Sequence, residues 1–264
     1  MNITITSVHN ERVKQWAALL DKKHRDRSGR FIIEGIHLIK EAFDAGAAVH
    51  VVVYDMERGV PSELEPYMDG AGAQEWAAAS TAVMAKCTGT DSAPPVFAVV
   101  GKRNNDTSAL FRQDSLVVVL DGVRDPGNAG TIIRAADAAG ADAVVLGKGC
   151  VDLYNPKTVR STMGSLFHLP IIEADLSKLL PEAQERGMRL VGTSLQAQHT
   201  CYSYDWRQPS WMLFGSEADG LSPAVLAMVN ETVIIPMKGK AESLNVAMAA
   251  SVLLYEALRQ RHYR

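Results

Sequence analysis

Between residues 115 and 237 the chain alternates apolar runs with helical patterns so regularly that few folds can accommodate it. SLVVVLDG (115–122), AVVLG (143–147), PIIEA (170–174), RLVGTSL (189–195), WMLFGS (211–216) and ETVIIPM (231–237) read as strands, with helical patterns between most of them. Runs this continuously apolar belong to strands buried on both faces, and the helices between them serve as crossovers. The expectation is an α/β fold with a parallel sheet covered by helices.

A smaller α/β unit precedes it. Val13, Trp16, Ala17 and Leu20 predict a helix over 9–22, and FIIEG (31–35) a short strand. A helix carrying Leu38, Ile39, Ala42 and Phe43 stops at Gly46. VHVVVYD (49–55), a weak helix over 80–87 and VFAVVGK (96–102) complete the unit. The polar stretch RNNDTSALFRQD (103–114) breaks the alternation, so the domains are placed at 1–105 and 115–264.

With 264 residues and a net charge of −3, the chain is not coated in basic residues. One local patch stands out: Arg12, Lys14, Lys22, Lys23, Arg25, Arg27 and Arg30 against only Glu11, Asp21 and Asp26. Alone, it reads as a solvated helix face. The N-terminus lacks the basic-then-apolar order of a secretory signal, and no apolar run reaches membrane-spanning length, so a cytoplasmic protein without a membrane partner is expected. Cys87, Cys150 and Cys201 are odd in number and far apart, which reads as core thiols. The seven histidines neither cluster nor pair at ligand spacing, so no metal is expected.

In open parallel sheets ligands sit outside the carboxyl ends of the strands. Three strand ends here carry chemistry: DPGNAGTIIRAADAAG (125–140), FGSEADGLSP (214–223) and IPMKGKAESLNVAMAAS (235–251). Taken singly, each has a plain structural reading. DPGN is a good turn, Glu217 a solvated loop acid, and Ser243 a helix cap with Asn245 in the first turn. Their coincidence, glycine beside a hydrogen-bonding side chain at every one, points to a composite pocket. A phosphate-cradling G-x-x-x-x-G-K-[ST], a dinucleotide fingerprint and a G-x-S-x-G elbow are all missing.

In this order and spacing the three segments resemble the motifs of the SpoU branch of the SPOUT RNA methyltransferases. SVHNERVKQWAALL, RSGRFIIEG and HLIKEAF in the first half resemble the substrate-binding domain attached to many members, which is similar to a ribosomal-protein fold that binds kinked RNA. The resemblance implies a deep C-terminal trefoil knot, although sequence rules argue against knotted connections. It also implies a homodimer, S-adenosylmethionine as cofactor and methyl transfer to a ribose 2′-hydroxyl of RNA.

The implied catalytic set is Arg134, Asn128, Glu217, Ser243 and Asn245. Arg134 suits the stabilisation of charge on a developing alkoxide, because it stays protonated and offers forked donors. Asn128 would orient Arg134 or the ribose, and Glu217 would hold the second loop or a basic partner. The final proton acceptor stays open between a substrate phosphate and solvent. The implied cofactor set is Gly215, Ile235, Met237 and Leu244, with Thr193 at the pocket wall or, equally, an ordinary strand-end turn residue. Lys22, Lys23, Arg25, Arg27 and Arg30 gain a role as RNA contacts. Large-subunit (23S) ribosomal RNA is expected over transfer RNA on the N-terminal resemblance alone, and a catalytically silent RNA-binding factor is the competing reading.

Overall fold

The computed structural model describes residues 3–68, 75–90, 92–103, 107–194 and 196–263. Residues 104–106, inside the stretch expected to part the domains, lie outside them. The chain divides into two compact units, Met1–Asn104 with Asp152–Phe167, and Asn105–Val151 with His168–Arg264.

In the first unit β1 (Ile3–Ile5), α1 (Glu11–Ala18), α2 (Lys22–Ser28), β2 (Arg30–Glu34), α3 (Ile36–Asp44), β3 (Val49–Asp55), β4 (Glu75–Ala79), α4 (Thr81–Thr88) and β5 (Val96–Gly101) build a five-stranded mixed sheet. Its order is β1-β4-β3-β5-β2, parallel from β1 to β3 and antiparallel beyond. The helix expected over 9–22 ends at Ala18, and a further helix, α2, begins at Lys22. Asp21 accepts from the Lys23 N–H and starts α2, and Gly29 at φ 65° closes it. β4 was not foreseen, because EWAAA carries helix-favouring alanines. It is a strand because Ala77 and Ala79 lie fully buried in the core of Trp16, Val83, Met84 and Phe97, between two partner strands.

The second unit follows as β6 (Leu116–Asp121), α5 (Pro126–Ala138) and β7 (Ala143–Gly147). The chain then contributes α6 (Pro156–Thr162) to the first unit before β8 (Ile171–Ala174), α7 (Leu176–Glu185), β9 (Arg189–Thr193), β10 (His199–Thr200), β11 (Ser210–Gly215), α8 (Pro223–Leu226), β12 (Glu231–Ile234) and α9 (Val246–His262). All seven strands are parallel, in the order β10-β12-β9-β11-β6-β7-β8. Val119 lies opposite both Leu213 and Val145, so the centre of the sheet is apolar on every side. Val117, Val119, Leu190 and Leu213 pack under α7, while α5 and α9 pack on each other. The expected α/β fold with a parallel sheet is what forms.

The excursion of 152–167 is anchored by aromatic and ionic contacts within the first unit. Phe31 meets Tyr154 at 4.6 Å and Phe167 at 6.5 Å between ring centroids, and Arg160 pairs with Glu34 at 2.9 Å. Cys87 and Cys201 are buried, and burial pushes the Cys87 thiol up to about 12, far from thiolate chemistry. No described helix is long and apolar enough to cross a membrane.

Candidate active site

The site is assembled where β6, β9, β11 and β12 end. Asp125 caps α5, accepting from the Asn128 N–H at 2.8 Å, with Pro126 at the first helical position. This holds the Asn128 carboxamide at the mouth of the first loop. Its Nδ2 donates to Glu217 Oε1 in the second loop at 2.7 Å, and its Oδ1 accepts from Asn245 Nδ2 in the third at 3.0 Å.

The polarity of this chain follows from its last member. Asn245 Oδ1 accepts from the N–H groups of Ala247 and Met248, so its Nδ2 must face Asn128. Asn128 must then present oxygen to Asn245 and nitrogen to the carboxylate. Asn245, not Ser243, is therefore the cap of α9. Ser243 stands two residues before that cap, and an asparagine placed directly before Val246 satisfies two open N–H groups at once.

The second loop folds onto itself through reciprocal backbone bonds between Ser216 and Gly220, 2.9 and 3.0 Å. It is tied to the first by the Ser222 N–H donating to Asp121 Oδ2 at 2.7 Å. Gly215 permits this fold, since a Cβ there would lie 1.9 Å from the carbonyl carbon of Gly220. A cavity of about 560 Å³ opens beside these loops. Thr193, Gly215, Ile235, Met237 and Leu244 all line it, as do Glu217, Ser243 and Asn245. Its volume falls in the range of small-molecule sites, and Phe214, Val233 and Leu244 give it an apolar wall beside a polar edge. That combination suits a small molecule with both an apolar and a polar part. Ser194, Gly220 and Ala249 also line it; small residues carry no separate sequence signal for such a role.

Two proposed members stand apart. Asn128 shapes the loops without lining the cavity, and Arg134 lies on the exposed side of α5. Among the described residues Arg134 has no hydrogen bond or ion pair, so its guanidinium is open to a ligand from solvent. It is not oriented by Asn128, whose amide is committed to Glu217 and Asn245. Among the described residues no group of three or more His, Cys, Asp or Glu could hold a metal ion.

In the first unit a groove of about 890 Å³ is lined by Arg12, Lys14, Trp16, His24, Arg27, Arg30 and His50 among others. Arg27 and Arg30 are exposed with side chains free of partners among the described residues, and so is Lys23 outside the groove. Lys22 pairs with Asp26 at 2.9 Å, and Lys102 with the same carboxylate at 2.7 Å, which together lower Asp26 to about 2. Arg25 corrects the sequence expectation. It is 3% exposed, donates to the carbonyls of Leu19 and Leu20, and pairs with Asp152 at 2.5 Å. A guanidinium buried in this way braces the fold and does not face RNA. Lys14, paired with Glu11 at 2.6 Å, and the imidazoles of His24 and His50 also line the groove. His50 is held below its ordinary range by partial burial and by the nearby Arg30. Its sequence signal is its place as the polar residue that interrupts the valines of VHVVV (49–53).

Known proteins resemble this chain over most of its length. A family model described as the SpoU rRNA Methylase family matches residues 115–255, and one described as the MRM3-like substrate binding domain matches 10–98. The 23S rRNA (guanosine(2553)-2'-O)-methyltransferase RlmP of Bacillus subtilis is 38% identical over 95% of this chain and 97% of its own. The 23S rRNA (uridine(2479)-2'-O)-methyltransferase of Streptomyces viridochromogenes is 36% identical over 97% of this chain and 92% of its own. Among solved structures, the SpoU methyltransferase AviRb from Streptomyces viridochromogenes in complex with AdoMet superposes with a TM-score of 0.87, at 35% identity, covering 96% of this chain and 98% of that one. The AdoMet-bound rRNA methyltransferase from Sinorhizobium meliloti gives 0.85 at 33% identity, covering 97% of each chain.

Proposed function

The chain belongs to the SpoU rRNA methylase family, and from that premise we propose that it methylates a ribose 2′-hydroxyl of 23S ribosomal RNA with S-adenosylmethionine as donor. The observation that carries this reading is Asn128, which ties three strand-end loops around one cavity of nucleoside size.

When bound, S-adenosylmethionine supplies an electrophilic methyl group on a sulfonium. Gly215, Ile235, Met237, Leu244 and Thr193 are the residues that would hold it, the apolar ones around adenine and the backbone groups at its polar edges. Ser243 and Asn245 close the third loop, and Glu217 fixes the second against Asn128. Arg134 clamps the substrate side: a permanently charged fork steadies the oxygen as its proton passes to a substrate phosphate or to solvent, and grips a neighbouring phosphate. A weak hydroxyl nucleophile needs this alignment more than it needs a strong base. Lys23, Arg27 and Arg30, with the groove beside them, would hold the RNA body, so the first unit acts as the substrate-binding domain.

The sheet order, with β9 lying between β11 and β12, supports a knotted C-terminal passage. Met248 and Tyr255, seven residues apart on α9 and each about half exposed, support a homodimer formed through that helix. A cytoplasmic location fits a ribosomal RNA substrate.

The test is transfer of labelled methyl to unmodified 23S rRNA transcript, with 2′-O-methyl mapping of the product and Arg134→Ala as the variant. Transfer to a single ribose, abolished in Arg134→Ala with its fold and cofactor binding intact, is the expected result. No saturable heat with S-adenosylmethionine in calorimetry would instead identify a silent RNA-binding factor.

A further inference from the structure

The parallel sheet of the second unit sorts its cations by end. Near the amino ends of the strands, Arg112 pairs with Asp142 at 3.3 Å, Arg186 with Glu182 at 2.7 Å and Arg207 with Asp205 at 2.7 Å. Arg261 is absorbed by the carbonyls of Trp206 and Gln208. Arg189, the first residue of β9, is the exception there.

Beyond the carboxyl ends the pattern reverses. Arg124 after β6, Lys148 after β7, and Lys238 and Lys240 after β12 are exposed and have no ion pair or hydrogen bond among the described residues. Acidic side chains stand nearby and, among the described residues, none forms an ion pair with these cations: four accept hydrogen bonds from neutral donors, while Asp219 and Glu242 in the second and third loops are exposed. Asp121 accepts from the Ser222 N–H, Asp125 from the Asn128 N–H, Glu217 from the Asn128 amide, and Asp175 from Ser177. Lys148 feels Asp175 through space without touching it. The N-termini of α5, α7 and α9 point to the same end and add partial positive charge.

These cations flank the cavity. In the strand order β12-β9-β11-β6-β7, four spacings of about 4.8 Å separate the outer two strands, roughly 19 Å. The cavity is lined by the ends of β9, β11 and β12, with Lys238 and Lys240 on one side and Arg124 and Lys148 on the other.

We propose that this rim is a phosphate track for a single-stranded RNA segment, which crosses the strand ends and is held on both sides of the target nucleotide by Lys148 with Arg124 and by Lys238 with Lys240. The proposal rests on the methyltransferase reading and adds to it that the catalytic unit grips its own stretch of substrate. A free cation releases counterions when a phosphate docks, whereas a cation already paired must first give up its partner.

The experiment compares Lys148→Gln, Lys238→Gln and their double variant with Arg207→Gln, which removes the same charge at the opposite end. Binding to unmodified 23S rRNA transcript is measured across salt concentrations, alongside KM and kcat for methyl transfer and calorimetric affinity for S-adenosylmethionine. Each rim variant is expected to flatten the slope of log K against log salt by about 0.7 and to raise the RNA KM about three- to tenfold. Cofactor affinity and kcat should hold, and Arg207→Gln should match the wild type. Lys148→Gln is the decisive variant, because neither Lys148 nor its chain neighbours line the cavity, whereas Met237 beside Lys238 does. A wild-type slope and KM in Lys148→Gln, or an equal effect in Arg207→Gln, overturns the proposal. Failure of the wild type to transfer methyl would count against the enzymatic reading alone, since the salt slope needs only binding and still decides the rim.

Discussion

Asn245 donates to Asn128 at 3.0 Å across 117 residues of sequence while its own Oδ1 caps α9. One side chain thus couples the start of the last helix to the first loop, and Asn128 passes the coupling on to Glu217.

Asn128→Ala removes both bonds in this chain, one of them to a carboxylate. A loss of about ten- to a hundredfold in kcat/KM is expected, equivalent to about 1.4–2.7 kcal/mol. The thermal midpoint should barely move, because these bonds face solvent. Asn128→Asp should do no better than Ala, since it sets a second carboxylate against Glu217. Steady-state kinetics with melting curves for both variants checks this, and an active Asn128→Asp enzyme would contradict the assigned polarity.

Gly215→Ala tests the close passage of the second loop. The added methyl would meet the backbone of Gly220 and Leu221 at 1.9–2.1 Å, so the backbone itself has to move. Overpacking of this kind costs about 1–3 kcal/mol or more. Calorimetry should show S-adenosylmethionine affinity reduced at least tenfold, with the midpoint lowered as well; unaltered affinity would separate this wall from the cofactor site.

Arg25 and its exposed neighbours should part company on mutation. Arg25→Ala strands Asp152, 10% exposed, without its partner, and breaking such a pair costs about 3–5 kcal/mol. Removing Asp152 as well should recover part of that loss. Lys23→Ala and Arg27→Ala should change stability by no more than about 0.5 kcal/mol while weakening RNA binding. Urea titrations and RNA binding on all four proteins give the comparison.

Glu34 carries a pH signature. Burial raises its carboxyl above the ordinary range, and this outweighs the opposing pull of Arg160. The folded state therefore holds the proton more tightly than the unfolded state, whose carboxyl titrates near 4.5. Its contribution is fully present below that value and is lost as pH rises through the elevated folded value. Glu34→Gln should accordingly raise the midpoint at pH 7.5, by roughly 1–3 °C, and the gain should vanish by pH 4.5. Melting curves at the two pH values decide it; a destabilised variant at pH 7.5 would mean that the Arg160 pair dominates.

The parallel sheet, its helices and the order of the three loops were determined by the sequence itself, because strand and helix periodicity is written in residues a few positions apart. Six apolar runs announced six of the seven strands of the larger sheet within a few residues. Thr193, Gly215, Ile235, Met237 and Leu244, named through the family resemblance of the three segments, all line the cavity. Only the tertiary structure decided which of several equivalent residues does what. Arg25 and Arg27 are alike in sequence, yet one is buried by Asp152 from a distant excursion and the other is free. β4 is a strand because two neighbours pair with it, against the preference of its alanines. Asn245 rather than Ser243 caps α9, and Asn128 joins the loops instead of orienting Arg134, because these choices turn on hydrogen bonds closed across the fold. Burial and partner geometry are properties of distant contacts, and no local pattern encodes them.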